Sequence, residues 1–328
     1  MEKTRKFSWT KYFSNEDNFS YTRKGTAFYN DTGSSNFYFS SCLFENCTGE
    51  GAIYIQRDNK ICTLIESSVF KNCSSTKDIG GGSVCFNCQQ EGQIVQERTC
   101  YYQSIAEAHL AFVQAVKNSP SSKNYAIDVS VFNCGDNEAK GSFMIGIAYG
   151  VLLISNMNNT NNKCTSYSSI MSSVDNSLGT CNFSTFRENK QSQSISLFFG
   201  AANSVERYQT ISHCNIIKNI AGPGEDQILL NCLNTAYFDH CIFLNNIANY
   251  MFLGNSLTIS DSYVDVNTTL PDPRINVTFK NLREDYDFNN FTHFYKGNCL
   301  TEPKEITIGI SYLSKFAKCA IPSLLSSQ

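Results

Sequence analysis

A chain of 328 residues with a net charge of -3, 17% charged and 13% aromatic residues is long enough for two ordinary domains or one solenoid. The weak charge leaves no basic field for nucleic acid. The aromatic content excludes a disordered chain, because disorder goes with few aromatics and a high net charge.

The first segment, residues 1–35, is mixed and rich in aromatics: Trp9, Tyr12, Phe13, Phe19 and Tyr21. Lys3, Arg5 and Lys6 are not followed by an apolar run, so no signal segment is read here. A solenoid end exposes a raw sheet edge that needs cover, and this segment is expected to be an N-terminal cap or extension.

From residue 36 a phrase recurs. It reads Ser41-Cys42-Leu43-Phe44-Glu45-Asn46-Cys47, then Ser67-Ser68-Val69-Phe70-Lys71-Asn72-Cys73, then Ser130-Val131-Phe132-Asn133-Cys134. It returns as Phe183-Ser184-Thr185-Phe186-Arg187-Glu188-Asn189, His213-Cys214-Asn215-Ile216-Ile217-Lys218-Asn219 and His240-Cys241-Ile242-Phe243-Leu244-Asn245-Asn246. Phe44 and Phe70 are 26 residues apart, and His213 and His240 are 27. A period of this size means stacked repeats. Between the phrases lie short strand-like runs such as Gly51 to Ile55 and Gly80 to Phe86, separated by Gly and Asn turns. The expectation is an all-β, single-stranded right-handed parallel β-helix over 36–265, of about eight to ten rungs.

One stretch has two readings. Ser104 to Glu107 resembles a capping box ahead of an Ala-rich run to Lys117, which is a helix signal. The competing reading is a strand from Leu110 to Val116 with a loop over residues 118–122, favoured by the strands on either side.

In a parallel coil, equivalent residues stack from rung to rung. Phe44, Phe70, Phe132 and Phe243 are therefore expected to form an internal aromatic ladder, with Ile216 or Ile217 substituting once. Asn46, Asn72 and Asn245 fall where the coil must turn, and Asn tolerates the left-handed conformation. Cys42, Cys214 and Cys241 recur at matching positions, so most of the 15 cysteines read as small apolar core residues rather than a disulfide framework. Disulfides between adjacent rungs stay open as an alternative.

After residue 265 the phrase stops at the breaker cluster Pro271-Asp272-Pro273. Residues 266–328 read as a C-terminal cap or linker tail. Ile306 to Leu325 is interrupted by Lys315 and Lys318 and is not read as a membrane span.

The phrases Phe186-Arg187-Glu188-Asn189, Phe243-Leu244-Asn245-Asn246 and Gly49-Glu50-Gly51-Ala52-Ile53 resemble those of the chlamydial polymorphic membrane proteins. The Cys- and Asn-rich variant is similar to the pectate-lyase-like right-handed β-helix surface proteins of trichomonad protists. The resemblance covers roughly residues 36–265. It implies a surface or secreted adhesion role, with a host or cell-surface protein or a glycan as partner.

Glycoside hydrolysis needs two flanking carboxylates, and a lyase needs an acidic calcium cage with a basic residue. The polygalacturonase-like set of Asn-x-Asp, Asp-Asp, Gly-His-Gly and Arg-x-Lys on successive rungs is not present, and acidic residues such as Asp285 and Asp287 lie scattered. His213 and His240 each precede a Cys, but alternation sends neighbouring side chains to opposite faces, against a metal site with Cys214 and Cys241. Cys85-Phe86-Asn87-Cys88, with Cys100 nearby, lacks a second pair at zinc spacing. No catalytic residue, cofactor site or metal ligand is assigned, and a polysaccharide lyase or glycoside hydrolase stays as the alternative. The sequons at Asn18, Asn30, Asn46, Asn72, Asn158, Asn182, Asn267, Asn276 and Asn290 are close to what chance gives in such a composition. At Asn46 and Asn72, read as ladder residues, a glycan is not expected to fit.

Overall fold

The computed structural model describes residues 8–14, 18–30, 35–78, 80–136, 141–165, 171–174, 179–192, 195–201, 208–222, 227–265 and 276–287. They form an all-β parallel solenoid, with a single short helical turn at residues 8–12. Each level of the coil contributes a strand to three columns. In one level, the Asn36–Ser40 strand leads through a bend at Ser41 to Leu43–Glu45. The chain bends again at Asn46 and then reaches Ile53–Gln56. Every one of these strands pairs in parallel with its equivalent in the next level: Phe37 with Thr63, Phe44 with Phe70, Ile53 with Val84. The pairing extends from the Phe19–Thr22 strand to the Val277–Lys280 strand, outside 36–265 at both ends.

Two corners repeat. The first is occupied in successive levels by Ser41, Ser67, Arg98, Asp128, Asn156, Phe183, His213, His240 and Asp261, all with φ between 48° and 55°. The second is occupied by Asn46, Asn72, Gln103, Asn133, Asn161, Glu188, Lys218 and Asn245, with φ between 51° and 57°. A left-handed residue other than Gly costs about 1–2 kcal/mol, least for Asn and Asp. Asn46, Asn72 and Asn245 thus turn the coil as expected, and Gln103, Glu188 and Lys218 accept the same conformation because both flanking strands are fixed by the ladder. Asn46 and Asn72 are exposed, so the steric objection to a glycan at these positions does not hold.

The stretch with two readings is strand. Ile105–Ala106 pairs with Ser74–Ser75, and His109–Ala115 pairs with strands on both sides. The capping-box signal loses because a helix would leave one edge of each facing strand, Val84–Asn87 and Phe143–Ala148, unpaired inside the stack.

The internal column of the short strands starts as an aromatic ladder. Phe44 stacks on Phe70 with ring centroids 4.9 Å apart, and Phe70 on Tyr101 at 4.8 Å. Registers then carry the column through Val131, Asn159, Phe186, Ile216, Phe243 and Val264, nine levels among the described residues. Phe132 is not in it. Its partner is Tyr102, and it packs with Val69 and Cys100 in a small cluster outside the main core. The physical reason is alternation: one residue of slip moves a side chain to the other face. Measured from the corner Asn, Phe132 occupies the place of Glu45 and Lys71, and Val131 the place of Phe44. Ile216 is the inward residue of its pair, and Ile217 packs outside with Ile242 and Leu244.

Just past the second corner a buried column runs Cys47, Cys73, Ser104, Cys134 and then Asn162, Asn189, Asn219, Asn246. The Asn side chains form a ladder: Asn162 Nδ2 donates to Asn189 Oδ1 at 3.0 Å, Asn189 to Asn219 at 3.1 Å and Asn219 to Asn246 at 3.1 Å. Each amide also donates to a carbonyl of the preceding level, as Asn189 does to Asn159 at 3.0 Å and Asn219 to Phe186 at 2.9 Å. The backbone N–H groups of Asn162 and Asn189 donate to the next Oδ1. This satisfaction is what permits an amide column inside an apolar coil.

Candidate functional site: the outer face of the long strand column

The column that includes Asn36–Ser40, Ile61–Glu66 and Lys123–Phe132 has one face in the core and one face outside. In its first levels the outward residues are apolar: Tyr38, Cys62, Leu64 and Val95. Exposed, they would form an apolar patch. Residues 8–14 lie across them. Trp9, Tyr12 and Phe13 are buried in this satellite cluster, with Trp9 stacked on Phe19 at 4.4 Å.

A polar cluster fastens that segment. Glu97 pairs directly with Glu66 in the neighbouring strand, and both side chains are only 9% exposed. Arg98, at the adjacent left-handed corner, donates Nη1 to Glu97 at 3.2 Å and Nη2 to Glu66. Lys11 Nζ lies 3.0 Å from Glu97 Oε1, and Tyr12 Oη donates to Glu97 Oε2 at 3.0 Å. Ser8 Oγ donates to Glu66 Oε1 at 3.3 Å, and Tyr38 donates to Oε2. Burial, followed by the charge of Glu97 and the hydrogen bond to it, pushes the Tyr12 phenol well above its ordinary range. Burial and the bond to Glu66 do the same for Tyr38. Both remain donors at any ordinary pH. All four carboxylate oxygens therefore have donors within the chain, and the cluster works as a latch for residues 8–14. Sequence reading missed it because Glu66 and Glu97 looked scattered. The signal was there: each directly precedes the corner residue of its repeat.

Further along, the same face changes character. Thr180, Thr210 and Thr258 point outward, and Tyr208 and Tyr237 are about two-fifths exposed with rings 5.2 Å apart. At the corner beside them His213 stacks on His240 at 4.9 Å and packs against a tilted Phe183 ring at 5.2 Å. His240 Nδ1 lies 2.8 Å from Asp239 Oδ2.

The sequence candidates fall apart as sites. His213 and His240 stack on the outside, while Cys214 and Cys241 are buried within the core. Cys88 packs in the main core, whereas Cys85 is buried outside that cluster on the other side of the strand. Cys100 is disulfide-bonded, and twelve other described cysteines are buried thiols outside any disulfide. Burial pushes the thiols of Cys85, Cys88, Cys134 and Cys164 up to about 12, a range for packing rather than reactivity. Asp285 and Asp287 are exposed. Among the described residues no group of three or more His, Cys, Asp or Glu side chains is placed to hold a metal ion, and no helix is long and apolar enough to cross a membrane.

No family model matches the chain, and no curated protein or solved structure matches it.

Proposed function

We propose that this protein is a non-enzymatic β-solenoid scaffold that binds a surface partner, a protein or a glycan, through the uncovered part of its long outer face. The observation that carries the reading is the division of that face. Its apolar first levels are closed by the chain's own residues 8–14, while Phe183, Tyr208 and Tyr237 stay exposed between hydroxyl side chains and two stacked histidines. Aromatic residues in a polar frame are the composition of recognition surfaces. Solenoids present such surfaces over long distances. The resemblance of the repeat phrases to those of trichomonad and chlamydial surface proteins supports an adhesive role at a cell surface.

The test is binding of the purified chain to fixed cells and to a panel of immobilised glycans, compared with a Phe183→Ser, Tyr208→Ser, Tyr237→Ser variant. Saturable binding lost in the variant supports the reading. Equal binding by both proteins removes this face from consideration.

Polysaccharide cleavage is the second reading, and it would need carboxylates other than Glu66 and Glu97, whose oxygens are all engaged beneath residues 8–14. Incubation with acidic and neutral polysaccharides, with and without calcium, separates the two. Cleavage abolished by substitution of one exposed Asp or Glu would replace the scaffold reading with an enzymatic one.

A further inference from the structure

Cys47 and Cys73 hold the same position in consecutive levels. Leu43, Phe44 and Glu45 pair with Val69, Phe70 and Lys71. The pairing continues around the corner, where the N–H of Asn46 donates to the Lys71 carbonyl at 3.0 Å and the N–H of Ser74 to the Cys47 carbonyl at 2.8 Å. Equivalent residues of paired strands stand about 4.8 Å apart. That is inside the Cα separation of about 4.4–6.8 Å that a disulfide spans.

Cys73 reaches back to the level of Cys47, its thiol donating to the Phe44 carbonyl at 3.7 Å while that of Cys47 lies 3.9 Å from the Glu45 carbonyl, and the pair is asymmetric. The neighbouring Cys73 thiol pulls Cys47 down, while Cys47 together with burial pushes Cys73 well up. Access is asymmetric too. Cys47 is 8% exposed, against 0% for Cys42, Cys62, Cys73, Cys85, Cys88, Cys134, Cys164 and Cys214. A cleft of about 490 Å³ opens beside Cys73, walled by Asn72, Ser74, Gln103, Ile105 and Asn133. Cys214 and Cys241 provide an internal comparison. They also sit in consecutive levels, but they are 0% and 1% exposed and burial raises both.

We propose that Cys47 and Cys73 are a peroxide-sensitive dithiol that closes to an inter-level disulfide. The Cys47 thiolate attacks one oxygen of a hydroperoxide, the O–O bond breaks, and the products are Cys47 sulfenic acid and hydroxide or alkoxide. The Cys73 thiol then attacks the Cys47 sulfur, an S–S bond forms, and its proton leaves with the sulfenic oxygen as water. Two electrons pass from the thiol pair to the peroxide, and an external dithiol returns them. This chemistry follows thiolate character and access. The bond formed would staple the second corner of two adjoining levels.

The experiment uses the full reduced chain under native conditions, treated with graded hydrogen peroxide and then alkylated. Digestion with trypsin and a Glu-specific protease separates Cys42, Cys47 and Cys73 for mass spectrometry. The expected result is a Cys47–Cys73 crosslink that appears before any crosslink of Cys214 to Cys241 and is reversed by dithiothreitol. In Cys73→Ser, a sulfenic acid on Cys47 is expected to be trapped by dimedone. In Cys47→Ser, Cys73 is expected to stay a free thiol. Without peroxide, alkylation of Cys47 at pH 7 is expected to be about tenfold or more faster than that of Cys214. A native chain in which Cys47 and Cys73 stay reduced while other cysteines oxidise would overturn the proposal, whatever the variants do. So would alkylation of Cys47 no faster than that of Cys214.

Discussion

Glu97 stands directly over Glu66 in adjacent parallel strands, and a single guanidinium, that of Arg98, bridges the two carboxylates. Two like charges in cross-strand register repel. Their burial is tolerated because Arg98, Lys11 and the hydroxyls of Tyr12, Tyr38 and Ser8 surround them.

Removing Arg98 takes the shared cation away from both. Arg98→Gln is expected to destabilise the structure by about 1–3 kcal/mol, the cost of removing a charged partner while Lys11 and the hydroxyls remain. The first part to loosen is residues 8–14. The chain has one tryptophan, and it is Trp9, fully buried in that contact. A red shift of tryptophan emission at denaturant concentrations that leave the far-ultraviolet β signal intact is the expected readout. Unchanged emission would detach Arg98 from the latch.

Phe70 lies between Phe44 and Tyr101 with its ring within 3° of parallel to both. Phe70→Ala is expected to open a cavity and cost about 3–5 kcal/mol. Levels touch only their neighbours, so loss of hydrogen-exchange protection should centre on residues 37–45, 61–71 and 92–102. Tyr286→Ala, at a residue 38% exposed, should leave protection unaltered. Uniform loss along the chain after Phe70→Ala would argue against stacked, separable levels.

The amide column gives a sharper contrast. Asn189→Ala removes the acceptor of two Asn162 donors and the donor to the Asn159 carbonyl. Each orphaned buried group costs about 1–3 kcal/mol. Asn161→Gly, at an exposed left-handed corner with φ 55°, is expected to stay within about 0.5–1 kcal/mol of the parent, because Gly accepts that conformation. Urea midpoints of the two variants measure the difference.

His109 sets a pH dependence. Its ring stacks on Phe143 at 5.0 Å, and both ring nitrogens are buried without a hydrogen-bond partner. Burial lowers its pKa to about 4. The unfolded chain takes up this proton near pH 6.5 and the folded chain only near 4, so the contribution is complete above about 6.5 and is lost as pH falls towards 4. The loss is at most about 3 kcal/mol. Urea titrations at pH 7.5, 6 and 4.5 should show the decline, and His109→Phe should flatten it. An unchanged pH profile in that variant would assign the decline to other groups.

How much of this was legible in the chain divides along a physical line. The repeat phrase announced a parallel coil, and Asn46, Asn72 and Asn245 announced its corners, because a left-handed bend selects residue type locally. The neighbouring strands also told against a helix over residues 104–117. The inward or outward sense of a given phenylalanine was harder. Phe132 looked like Phe44 and Phe70 until counted back from its corner Asn, and a one-residue difference changes the face.

What only the tertiary structure decided is which side chains meet across levels. Successive levels differ in length, so their registers depend on where each loop is absorbed. That decides that Glu66 meets Glu97, that Cys47 meets Cys73, and that the buried column beyond the second corner changes from thiols to amides at Asn162. Residues 8–14 are a further case. Their aromatics announced burial, but only the fold shows the surface they cover, because an apolar contact is non-directional and leaves no spacing in the sequence. The chain by itself determined a stacked β architecture through local periodicity and corner chemistry. The folded coil determined the latch, the thiol pair and the exposed aromatic face, each of which exists only once separate levels lie side by side.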